Sequence, residues 1–246
     1  MTEFDIEAIR AELVEPGVLH AGVNLGNILL VTGKSADGGP EGVSPDMAKG
    51  IADKLGVKVK YNTFPTPGEV ADAVAGWDIG LIAIEPKRAE VIAFCSPYVE
   101  IEATYLVPAG SKLQTIEDVD QPGIKIAVSD RSAYDLYLSR TLKHAELVRA
   151  KGLPATFQMF KHGDQGGQDA LAGLVPALKE NSLEMPGSRL IPGRFTTVTQ
   201  AIGTRPAAKK LNAFVEAFIQ DAKGSGLVQT LIDKHGVTGK LEVASD

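Results

Sequence analysis

Residues 66–83 read TPGEVADAVAGWDIGLIA, which places a helix start, a helix stop and a buried strand in one short stretch. Thr66 followed by Glu69 is a capping box, and Pro67 stands at the first helical position, where its missing N–H costs nothing. A helix is therefore expected from Pro67 to about Ala75, with Gly76 ending it. Asp78 to Ala83 then reads as a strand, because its apolar run is too short for a helix and follows a glycine stop.

The same alternation extends in both directions. Upstream, Val18 to Val23 is a short apolar run, Ser44 to Leu55 carries Met47, Ile51 and Leu55 on one helical face before Gly56, and Val57, Val59 and Tyr61 alternate as a strand. A second cycle begins near Lys112. Ile124 to Val128 is a strand, and Ser132 is placed to cap a helix carrying Tyr134, Leu138 and Leu142. Five further segments, Glu146 to Arg149, Ala155 to His162, Ala170 to Leu174, Pro176 to Asn181 and Arg189 to Ile191, follow before a strand at Thr197 to Ile202. Thr204-Arg205-Pro206 is expected to open a long helix whose apolar stripe is Leu211, Phe214, Val215, Phe218 and Ile219. Strands alternating with helices indicate an α/β fold with mainly parallel sheets.

Composition narrows the function classes. The 246 residues suit one large domain or two ordinary lobes. With 25 basic and 31 acidic residues the net charge is −6, so no basic surface is offered to nucleic acid. No apolar stretch approaches the roughly 18 residues of a membrane span. The single cysteine, Cys95, precludes an intrachain disulfide, and four scattered histidines argue against a zinc cluster. Met1 to Leu13 is acidic and helical in pattern, with no basic start and apolar run, so it does not read as a secretory signal.

Short motifs that invite a chemistry are outweighed by plainer readings. Gly33-Lys34-Ser35 lacks the glycine five residues earlier that a phosphate loop requires, since Ile28 stands there, and turn-like residues follow. Cys95 between Phe94 and Ser96 reads as a small buried hydrophobe. His162-Gly163-Asp164 reads as a helix end entering a loop.

An ordered set of segments carries more. Gly42-Val43-Ser44-Pro45-Asp46-Met47-Ala48 runs into a helix ending Lys54-Leu55-Gly56. Trp77-Asp78-Ile79-Gly80, Glu85-Pro86-Lys87-Arg88 and Ile92-Ala93-Phe94-Cys95-Ser96-Pro97-Tyr98 follow. Ile116-Glu117-Asp118-Val119, Ile124-Lys125-Ile126-Ala127-Val128 and the helix from Pro206 to Gly226 complete it. Together, from about Val18 to Gly236, these resemble the family 3 extracellular solute-binding proteins that serve polar amino-acid ABC importers.

The resemblance implies a two-lobed, type II periplasmic-binding-protein fold. Lobe 1 would comprise 1–105 with 197–246, lobe 2 would be the inserted 106–196, and ligand would lie in the cleft between them. It implies capture of a small polar or anionic organic ligand by closure, an ABC permease as partner, a monomer, and no cofactor, metal, nucleic acid or membrane insertion. The family is periplasmic or extracellular, whereas the missing signal leaves a cytoplasmic location open.

Site residues transfer incompletely. Arg88 occupies the place of the arginine that holds the ligand carboxylate, a task suited to a planar guanidinium fork. Glu85 stands where the family has threonine, and Ala83 where it has a hydroxyl. In lobe 2 the small-residue turn is represented by Arg131, Ser132 and Ala133, with Arg131 replacing glycine. The aspartate that holds an amino acid's ammonium would fall near Leu174, where no acid stands. Asn24 and Asn27 replace an aromatic in the loop after the first strand. Tyr98, Glu102 and Gln200 near the crossovers complete the candidates. The alternative is an enzyme on the same scaffold, dehydratase-like, with Glu85 as acid or base and Arg88 holding a substrate carboxylate.

Overall fold

The computed structural model describes residues 4–245. The first three residues of the acidic N-terminal pattern therefore lie outside the described residues.

In chain order the first half contains α1 (Ile6–Arg10), β1 (Val18–Asn24), β2 (Gly33–Lys34), β3 (Pro40–Glu41), α2 (Val43–Leu55), β4 (Lys58–Phe64), α3 (Pro67–Asp72), β5 (Ile79–Ala83), α4 (Pro86–Ala89) and β6 (Ala93–Val107). The second half contains β7 (Lys125–Ser129), α5 (Ala133–Thr141), β8 (Glu146–Ala150), α6 (Leu153–His162), β9 (Ala170–Leu174), α7 (Val175–Leu183), β10 (Arg189–Leu190), β11 (Thr196–Thr204), α8 (Lys209–Gly224), α9 (Leu227–Lys234) and β12 (Glu242–Val243). The chain divides into two compact units, 1–100 with 199–246 and 101–198. Strands β6 and β11 carry the chain from one unit to the other.

In the first unit β1 pairs in parallel with β4 on one side and β5 on the other, and β11 runs antiparallel to β5. All five residues of β5 are buried, as a strand covered on both faces requires. Trp77, fully buried, lies across the sheet, and its indole Nε1 donates to the Val70 carbonyl at 2.9 Å. Gly22 and Gly80 make room for it: a Cβ on either would fall 2.8 Å from the indole ring. Asp78 beside it is also fully buried and accepts from the Val14 and His20 N–H groups, each at 2.8 Å.

In the second unit β9 pairs antiparallel with β6, and β7 lies parallel to both β9 and β8. Helix α6 packs Phe157 and Phe160 into a core with Leu106, Ala127, Leu171 and Leu178.

Two boundaries differ from the sequence expectation. The helix at Pro67, capped by Thr66 as expected, closes at Asp72, and a separate 3-10 turn spans Val74–Gly76. The long C-terminal helix opens at Lys209 and not at Thr204, which remains at the end of β11. Its start is set from far away in sequence, because the Glu12 carboxylate accepts from the Lys210 and Leu211 N–H groups at 3.3 and 2.8 Å. A remote carboxylate thus does the work of a local N-cap. Gly33 and Lys34 lie on an exposed two-residue strand paired with β3, a hairpin and not a phosphate loop.

Candidate functional site

The expected residues fall into two groups, one in each unit. In the first, β5 ends at Ala83 and the chain turns into the four-residue α4. Glu85 is its N-cap and Pro86 its first residue, the combination that starts a helix abruptly. Glu85 Oε2 accepts from the Lys87 N–H at 2.9 Å, and the side chain is 2% exposed. Arg88, 4% exposed, is folded back so that Nη1 donates to the Ala83 carbonyl at 2.9 Å. Gln200, buried on β11, stands opposite Ala83 in the antiparallel register.

At the end of β1, the Asn24 Oδ1 accepts from the Gly26 N–H at 3.0 Å, and the Asn27 Oδ1 from the Leu29 N–H at 3.2 Å. Both carboxamide oxygens thus close Asx turns, so the –NH2 ends are what these side chains can offer outward. Tyr98 belongs to the packing of this unit. It is fully buried, its hydroxyl lies 2.8 Å from Ser44 Oγ on α2, and burial pushes its phenol well above the ordinary range. Cys95 is buried too, and desolvation followed by the nearby Glu216 charge pushes its thiol up to about 12.

The second group opens α5. Ser132 is the N-cap, and its Oγ accepts from the Asp135 N–H at 3.1 Å, leaving the hydroxyl proton to donate elsewhere. Ala133 is half-buried at the first helical position. Arg131 precedes the cap with φ 56°, the left-handed region, and its side chain is exposed. Its N–H donates to Asp135 Oδ2 at 2.8 Å. Glu102, on β6, is exposed and ion-paired with Arg194 of the same unit. Leu174, the last residue of β9, is buried and stands as the N-cap of α7, so the position of the missing acid is apolar.

Sequence reasoning passed over Asp135 and Arg149. The signal was present: Ser132 and Asp135 have the spacing of a capping box, directly after a residue that replaces glycine. Among the described residues no group of three or more histidine, cysteine, aspartate or glutamate side chains could hold a metal ion, and no helix is long and apolar enough to cross a membrane.

Comparison with known proteins sets these groups in a family. Residues 31–238 match the bacterial extracellular solute-binding proteins, family 3. Cyclohexadienyl dehydratase of Pseudomonas aeruginosa is 27% identical over 222 residues, which cover 88% of this chain and 82% of that protein. A mutant of the arginine-binding protein of T. maritima superposes with a TM-score of 0.74 at 23% identity, covering 93% of this chain and 97% of that one. An ancestral amino acid-binding protein, a precursor of cyclohexadienyl dehydratase, gives a TM-score of 0.74 at 22% identity, over 94% and 99% of the two chains. The L-arginine-bound substrate-binding protein of an amino-acid ABC transporter from Streptococcus pneumoniae gives 0.74 at 22% identity, over 93% and 97%. The fold is that of the type II periplasmic binding proteins, and the chain belongs to the bacterial extracellular solute-binding proteins, family 3.

Proposed function

We propose that the chain binds a small polar organic solute bearing a carboxylate and releases it chemically unchanged. The observation that carries this reading is the buried guanidinium of Arg88 at the end of β5, in the segment where the family resemblance places the carboxylate-binding arginine. A buried guanidinium meets a carboxylate through two parallel hydrogen bonds in a medium that screens them weakly. The Ser132 hydroxyl and the start of the nine-residue α5 supply a second set of donors suited to an anion. With Leu174 where amino-acid binders carry an acid, the reading favours a carboxylate or dicarboxylate over an ordinary α-amino acid. An ABC permease as recipient, an extracytoplasmic location and a monomeric state belong to the same proposal.

A second reading is supported by the dehydratase relative and by Glu85, a buried carboxyl in the same short helix as Arg88. On this reading Glu85 transfers a proton to or from a substrate whose carboxylate Arg88 holds.

A thermal-shift screen against amino acids, dicarboxylates and cyclohexadienyl compounds, followed by NMR of the recovered compound, separates the two. Binding raises the midpoint by mass action and returns the compound intact. Consumption of the compound over hours establishes the enzyme.

A further inference from the structure

The turn that opens α5 adopts a backbone conformation its sequence does not favour. Arg131 has φ 56°, where the Cβ of any residue but glycine crowds a neighbouring carbonyl. Arginine lacks the short carboxamide with which asparagine bonds its own backbone here, so contacts from other residues help to hold it.

Asp135 is in position to do so. Its carboxylate is 2% exposed, and Oδ2 accepts the Arg131 N–H at 2.8 Å, pinning the residue whose φ is unfavourable. The carboxylate is held from the other side by Arg149 on β8, whose Nε lies 3.0 Å from Oδ1 and 3.3 Å from Oδ2, and whose Nη2 lies 2.9 Å from Oδ1. Arg149 Nη2 also donates to Ser139 Oγ at 2.8 Å; the Ser139 hydroxyl donates to the Asp135 backbone carbonyl at 2.8 Å, with Asp135 Oδ1 a longer alternative at 3.3 Å. The ends of β7 and β8 are joined just beside this cluster, where the Asp130 N–H donates to the Ala150 carbonyl at 2.9 Å.

A buried carboxylate with this many donors is rigid, and whatever it holds is rigid with it. The same residue's backbone N–H donates to Ser132 Oγ at 3.1 Å, while its carboxylate accepts from the N–H of the preceding Arg131.

We propose that Asp135, clamped by Arg149, is a positioning residue that lets a non-glycine residue occupy the left-handed position before α5 and so keeps the Arg131–Ser132 turn set for an anionic solute. The assignment to a solute rests on the function proposed above; the backbone role does not. An ordinary cap or ion pair would stabilise the helix whatever residue stood at 131. A device for a strained residue loses much of its importance once glycine stands there.

The test is a double-mutant cycle on the full chain with Asp135→Asn and Arg131→Gly, read by urea midpoint and by NMR hydrogen exchange at amide 131. Asp135→Asn is expected to lower the midpoint and speed exchange at amide 131 at least tenfold, and the midpoint loss to be smaller when glycine stands at 131, the part owed to the Arg149 pair remaining. Arg149→Met, which leaves the turn's own residues intact, should reproduce the exchange effect should Asp135→Asn fail to fold. Equal midpoint losses with arginine and with glycine at 131, or unchanged exchange at amide 131, overturn the proposal.

Succinate, a dicarboxylate probe, is titrated in parallel, and Asp135→Asn should weaken its binding at least tenfold. Unchanged succinate affinity despite faster exchange overturns the solute role. Failure of the wild-type chain to bind succinate counts against the function reading, while the cycle still judges the backbone role.

Discussion

Arg88 reaches back to the carbonyl of Ala83, Nη1 to O at 2.9 Å, so the guanidinium lies over the end of the strand that leads into its own helix. That bond fixes one edge of a planar group, the kind of preorganisation the proposed anion site calls for. Glu85, capping the same four-residue helix, is the group that distinguishes the two functional readings.

Glu85→Gln keeps an oxygen for the Lys87 N–H and removes the ionisable carboxyl from the cap of the helix that carries Arg88. A solute-binding protein should then hold its carboxylate with affinity between unchanged and about tenfold tighter, given the Coulomb energy of nearby charges in a high effective dielectric. Calorimetric titration reads this, and a tenfold loss in affinity would contradict it. An enzyme using Glu85 would instead lose turnover while retaining binding.

Asp78 is a structural keystone of the first unit. Besides the two backbone N–H groups it receives Arg205 Nη2 at 3.2 Å. Asp78→Asn offers a single acceptor oxygen and leaves a donor or a charge unanswered, so unfolding in urea should show a loss of about 3 kcal/mol. A loss below about 1 kcal/mol would mean that the network rearranges around the amide.

Asp46, in the first turn of α2, accepts from Lys234 Nζ at 2.7 Å and lies 2.8 Å from His235 Nε2, fastening the end of α9. Burial opposes its ionisation, but the hydrogen bonds from Lys234 and His235 outweigh this and hold its carboxyl below the ordinary value. A depressed folded pKa contributes stability above the unfolded value and loses it as pH falls through the folded one. Asp46→Asn should therefore cost about 1 kcal/mol at pH 7, with the difference from wild type shrinking below about pH 4. Urea midpoints at pH 7, 4 and 3 check the sign; a difference that grows on acidification would refute it.

What the sequence made legible was local. The Thr66 cap, the buried strand after Gly76 and the apolar stripe of α8 are set by residues within a turn or two of one another, and they stand where expected. The start of α8 was misplaced because its N–H groups are answered by Glu12, almost two hundred residues away, and Pro206 alone suggested an earlier opening. The candidate site was readable as positions to be tested and not as bonds. Arg88, Ser132 and Gln200 could be named as candidates, but that Tyr98 turns its hydroxyl to Ser44, or that Glu102 pairs with Arg194, depends on which segments distant in sequence become neighbours. Asp135 was overlooked for another reason: its cap spacing was readable, but the strained residue it holds shows only in the backbone.

The central claim is that Arg88 holds the carboxylate of a solute that is bound and not transformed. Calorimetric titration of wild type and Arg88→Ala, with whichever compound gives the largest thermal shift, tests it most directly. Removing one partner of a buried charged pair should weaken binding at least about 30-fold while the variant remains folded. Affinity within about threefold of wild type in a folded Arg88→Ala protein would contradict the account.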